Sequence, residues 1–163
     1  MSSPKKRVAI LFGGRSTEHQ ISLLSAKNVI GALDLEKFEP VLIGIDKKGR
    51  WHLNEGALAL MHADDPNKIA MVEHENVVLL SQNTNEHKLV KKEGWQEAGK
   101  IDVIFPVLHG TYGEDGSVQG FAKLANIPCV GCGILGSAIG MDKDVAKRLL
   151  RDAGISVADF VTL

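Results

Sequence analysis

Residues 102–120 read DVIFPVLHGTYGEDGSVQG, and the class of fold turns on this stretch. An apolar run stops abruptly at His109-Gly110, and a loop holding Gly110, Gly113 and Gly116 follows, with Glu114 and Asp115 between them. A short apolar run that ends in a glycine-rich loop and opens a helix puts backbone N–H groups and a few polar side chains at a strand's carboxyl end. Open α/β sheets bind their ligands there. The stretch therefore indicates a small-molecule site on an α/β scaffold.

The rest of the chain supplies that scaffold. Residues 7–12 (RVAILF) are apolar without alternation, as expected for a strand buried on both faces of a parallel sheet. Gly13 and Gly14 turn the chain, Ser16 or Thr17 can cap the next helix, and Glu18 falls in its first turn. Leu23, Ala26, Ile30 and Leu33 recur at helical spacing, and residues 40–45 (PVLIGI) form a second buried strand. Strand, helix and strand in this order make a βαβ unit. Residues 54–100 are the least periodic part and suggest a solvated insertion with a weak strand at 76–80 and a hairpin through 88–92. Beyond the central stretch, a helix over 118–125 leads through Pro128 to a strand ending at Val130. Met141, Val145, Leu149, Leu150 and Ala153 line one face of a later helix, with Asp144 and Arg148 paired at i,i+4 and Gly154 at its end. Residues 157–163 (VADFVTL) resemble a strand without a partner.

Composition narrows the function. With 19 basic and 20 acidic residues in 163, there is no electrostatic case for nucleic acid or an anionic membrane surface. No apolar run approaches the roughly 20 residues of a membrane span, and the amino terminus lacks a signal-peptide pattern, so a cytoplasmic location is expected. Cys129 and Cys132 form a C-x-x-C without a second such pair, and are expected to be small buried hydrophobes. His52, His62, His74 and His87 match no metal-ligand spacing and are expected at the surface.

Several polar residues carry chemistry. Gly13-Gly14 is not the dinucleotide fingerprint, but glycine there admits a ligand close to the backbone. Glu18 and His19 sit beside the carboxyl end of the first strand, and His109 lies at the carboxyl end of a later one. Parallel strands bring those ends to one edge. A carboxylate and an imidazole facing one cleft suit the ammonium and carboxylate of an amino acid. Glu114 and Asp115 suit a general base, a metal site or a helix start, the last being favoured locally. Lys143 and Lys147 lie four apart on one helix face.

These segments resemble the D-alanine–D-alanine ligases, a family of ATP-grasp enzymes. Residues 13–23 (GGRSTEHQISL) are similar to their GGxSxEHxVS opening, with Ile21 in place of valine. Residues 109–116 (HGTYGEDG) match HGxxGEDG, with Gln119-Gly120 after it. Residues 127–131 (IPCVG) resemble IPYxG, with Cys129 where tyrosine is frequent, and Ser137-Ala138 with Met141-Asp142-Lys143 match SAxxMDK. A position usually filled by tyrosine is not a metal ligand.

The resemblance implies a Rossmann-like open parallel sheet over residues 1–136, the domain that precedes the ATP-grasp, and the start of a central ATP-grasp domain over 137–163. It implies ATP-dependent phosphorylation of one D-alanine, attack by a second on the D-alanyl phosphate, and a dipeptide destined for peptidoglycan. Glu18 and His109 would be the catalytic pair. Gly14, Glu18, His19, His109 and Gly110 would bind substrate, and Lys143, in preference to Lys147, would meet ATP phosphate. Glu114 and Asp115 would position their loop. Magnesium or manganese would be needed, with ligands beyond the end of this chain, and none of the present residues is expected to bind metal. Family members run to about three domains of the usual 100–200 residues each, so an amino-terminal piece without activity of its own is expected, pairing as a homodimer. Ligases that use D-lactate or D-serine second share these motifs. A non-catalytic amino-acid-binding module is the alternative from another class.

Overall fold

The run RVAILF forms the centre of a four-stranded sheet. A computed structural model describes residues 4–54, 60–61, 65, 68–71, 77–81 and 86–162. In chain order the elements are β1 (Lys6–Gly13), α1 (His19–Ala32), β2 (Phe38–Ile45), β3 (Trp51–Asn54), β4 (Leu60–Met61), β5 (Ala70–Met71) and β6 (Val78–Leu80). There follow β7 (Lys88–Lys91), β8 (Glu97–Lys100), β9 (Val103–Pro106), α2 (Ser117–Leu124), α3 (Ile134–Met141) and α4 (Lys143–Asp152). The main sheet has the order β3-β2-β1-β9, with β2, β1 and β9 parallel and β3 antiparallel at the edge. Ile10 stands between Leu42 and Phe105 in register.

The absence of alternation in β1 has a direct cause. Successive side chains point to opposite faces, and both faces are covered. Val8, Ile10 and Phe12 pack in one core with Leu23 and Ala26 of α1. Ala9 and Leu11 pack in the other with Ile104, Val118 and Ala122. Complete burial of each large side chain contributes about 1.5–3 kcal/mol. Cys129 adds a single parallel bridge beside Ile104, which is all that forms of the strand expected to end at Val130.

Several expectations need correction. Residues 54–100 are not simply a solvated insertion: β6, β7 and β8 form a second sheet whose Val78, Leu80 and Leu89 are buried in the core with Ile101. The expected hairpin runs through β7 and β8, farther than residue 92. Asp142 interrupts the late helical pattern by accepting a hydrogen bond from the Val145 N–H (3.0 Å), so α3 and α4 are separate helices. Helix α3 covers Ile134–Met141. Residues 157–162 carry no strand, because no neighbouring strand stands beside them. Helix α1 begins at His19, with Glu18 at its N-cap, and neither Ser16 nor Thr17 caps it.

His52 is buried rather than superficial, and its Nε2 lies 3.1 Å from Asp46 Oδ2. His87 is half-buried, while His62 and His74 lie outside the described residues. The cysteines are less buried than expected, with Cys129 partly covered and Cys132 exposed.

Candidate active site

The chain leaves β1 toward β2 on one side and returns as β9 on the other. The carboxyl ends of β1 and β9 therefore flank the point where strand order reverses, the usual ligand crevice of an open α/β sheet. Helix α1 and the turn before it tie these two ends together through three serines, Ser16 in the turn and Ser22 and Ser25 on the helix. Ser22, fully buried, accepts from the Gly13 N–H (2.7 Å) and donates to the Val107 carbonyl. Ser16 Oγ accepts from the Glu18 N–H (3.1 Å) and donates to the His109 carbonyl (2.7 Å). Ser25 Oγ lies 2.9 Å from His109 Nε2.

Glu18 and Gly110 meet directly. A Cβ on Gly110 would stand 2.6 Å from Glu18 Oε2 and displace the tip of that side chain, while φ +71° is what calls for glycine there. The Gly110 N–H donates to Glu114 Oε2 (2.7 Å), so two carboxylates flank one residue. Asp115 accepts from the Tyr112 and Ser117 N–H groups at 2.8 and 3.0 Å. Burial acts to raise the Asp115 pKa, but these bonds outweigh it and hold the carboxyl below its ordinary range. With their oxygens committed to backbone N–H groups, Glu114 and Asp115 act as braces for the loop.

The structure thus brings Glu18, His109 and Gly110 together. Gly14 lies nearby, opposite Leu108, and lines a cavity of about 190 Å³ with His109, Arg15 and Tyr112. The Arg15 guanidinium stands 4.7 Å over the Tyr112 ring at its edge. His19 does not join the group. Its buried ring places Nδ1 2.7 Å from the Gly14 carbonyl and lines a different cavity, of about 330 Å³, with Asp46 and Lys47.

Lys143 sits at the start of α4, exposed, with Nζ donating to the Gly140 carbonyl at 3.0 Å. It lines a cleft of about 450 Å³ shared with Gly113, Glu114 and Ser137. Lys147 instead places its ammonium 4.9 Å over the Phe160 ring. Burial raises the pKa of the Cys129 thiol, which suits an inert side chain.

Sequence reasoning offered Ser16 only as a helix cap and did not single out Ser22 or Ser25. Ser22 and Ser25 are three apart, hence on one helix face, and they adjoin the buried Leu23 and Ala26. Polar residues beside an apolar stripe were the available signal. The Asp46–His52 pair was missed because β3 folds back to meet the turn after β2.

Fold and site together define a Rossmann-like domain with an acid and an imidazole near the carboxyl ends of β1 and β9. A family model described as the D-ala D-ala ligase N-terminus matches residues 7–132, and the chain belongs to that family. It is 50% identical over 159 residues to D-alanine--D-alanine ligase A of Escherichia coli K12, covering 98% of this chain and 44% of that protein. Among solved structures it is similar to the VanG D-Ala:D-Ser ligase of Enterococcus faecalis, with TM-score 0.77 and 37% identity over 96% of this chain and 44% of that one. The Bacillus anthracis D-alanine--D-alanine ligase complexed with ATP gives TM-score 0.61 and 29% identity, covering 96% of this chain and 38% of that one. The chain therefore spans less than half the length of these relatives.

Proposed function

We propose that this chain forms the amino-terminal, first-substrate part of an ATP-dependent ligase that joins two D-alanines through a D-alanyl phosphate. The observation that carries the reading is the placement of Glu18 against Gly110, beside His109, at the sheet's switch point. Glu18 binds the ammonium of the first D-alanine, and His109 faces its carboxylate as that group is phosphorylated. Gly14 and Gly110 admit the substrate to the backbone. His19 is demoted from ligand to support, since its ring already serves the Gly14 carbonyl. Lys143 offers positive charge to a phosphate across the cleft it shares with Glu114, and such charge stabilises phosphoryl transfer. The proposed domain division lies near residue 136, a few residues beyond the end of the matched family region at 132.

Magnesium supplies charge neutralisation in ATP-dependent ligation generally. The residues described do not fit it, because no group of three His, Cys, Asp or Glu side chains comes together among them, and no step is assigned to it. The proposal includes a homodimer and a cytoplasmic reaction, where ATP is available. No helix among the described residues is long and apolar enough to cross a membrane.

The test is ADP release with D-alanine, ATP and magnesium, measured on the 163-residue chain and on the full-length protein that carries it. Turnover by the full-length protein and none by the shorter chain is expected. A full-length protein inert with D-alanine contradicts the reading, and a comparison of D-alanine, D-lactate and D-serine as second substrates separates the related ligases.

A further inference from the structure

Ser22 and Ser25 project from one face of α1, yet their hydroxyls do different work. Ser22 is engaged on both sides by backbone, through Gly13 and Val107, which makes it a structural tie. Ser25 meets a side chain, the Nε2 of His109, at 2.9 Å. Imidazole nitrogens sit on different edges of the ring, and the partner of one fixes both the ring's orientation and the state of the other. Ser16 already holds the His109 carbonyl. The residue is therefore gripped at its backbone and at its ring tip by the same segment that carries Glu18. Among the described residues no partner engages His109 Nδ1, which leaves that nitrogen for a ligand.

We propose that Ser25 is a positioning residue. Its hydroxyl holds the His109 ring through Nε2 so that Nδ1 addresses the carboxylate of the first substrate. This rests on the reading of His109 given under Proposed function. A hydroxyl three residues from a purely structural serine thus sets the angle of the imidazole, and an apolar residue at the same place would leave the ring free to rotate about its two side-chain torsions.

The test uses the full-length protein with Ser25→Ala and Ser25→Thr, assayed for D-alanine at the first site. Ser25→Ala is expected to raise KM roughly five- to tenfold, the loss of one net hydrogen bond, with kcat changed less than about twofold. Ser25→Thr, which keeps the hydroxyl, is expected to restore KM to within about threefold. In parallel, the 15N shift of His109 Nε2 in the 163-residue chain should move in Ser25→Ala and return in Ser25→Thr. An unchanged KM in Ser25→Ala, or a KM that Ser25→Thr fails to restore while the melting temperature falls, overturns the proposal. Wild-type protein that forms no dipeptide overturns instead the reading of the site, and the Nε2 shift still decides whether Ser25 sets the ring.

Discussion

The backbone N–H of Glu18 and the carbonyl of His109 share one hydroxyl, that of Ser16, at 3.1 and 2.7 Å. The two residues are separated by most of the domain in sequence, and a single oxygen locks their relative position. Ser16→Ala removes both bonds. It is expected to cost about 1–2 kcal/mol of stability by urea unfolding and to raise KM for the first D-alanine. A variant with unchanged midpoint and KM would show that the shared hydroxyl is incidental.

Gly110→Ala tests the contact between the loop and Glu18. The added Cβ would press on Glu18 Oε2, and φ +71° adds about 1–2 kcal/mol of backbone strain. We expect a comparable loss of stability and at least a tenfold fall in kcat/KM. Wild-type kinetics in this variant would place the Glu18 carboxylate elsewhere in solution.

Ser22→Ala should be a folding variant rather than a kinetic one. It leaves a buried N–H on Gly13 and a buried carbonyl on Val107 without their partner, at a cost of about 1–3 kcal/mol. Calorimetric melting should fall by several degrees, with KM close to wild type in the molecules that remain folded. A change confined to KM would reverse the roles assigned to Ser22 and Ser25.

Asp46 gives the domain an acid-sensitive support. Burial acts to raise its pKa, but hydrogen bonds from the Arg50 N–H, His52, the Arg50 guanidinium and the Lys48 N–H outweigh it, so the carboxyl lies well below its ordinary range. A carboxyl depressed in the folded state stabilises fully above its unfolded pKa, about 3.9, and loses that contribution as pH falls from there through the folded value. Asp46→Asn is expected to cost about 2 kcal/mol at pH 7, with the difference from wild type shrinking below pH 4. A difference that grows on acidification would contradict the sign of this linkage.

The sheet was readable because β1, β2 and β9 are each covered by core on both faces, which leaves a continuous apolar run. The proximity of Glu18 and His109 followed from parallel strands ending at one edge. What could not be read depended on long-range partners. His52 looks like any polar-segment histidine until β3 folds back and places it on Asp46. Residues 157–162 have the composition of a strand, but strands need neighbours. Asp142 hides a helix boundary inside a pattern that is apolar on one face across both α3 and α4.

The central claim is that Glu18 holds the ammonium of the first D-alanine beside His109. Its most direct test is kcat/KM for D-alanine in the full-length protein carrying Glu18→Gln, with the melting temperature measured alongside. Loss of one charge-assisted hydrogen bond predicts a fall of roughly 10- to 100-fold, with melting unchanged because Glu18 is an exposed N-cap residue that makes no side-chain cap. Activity within twofold of wild type would contradict the account.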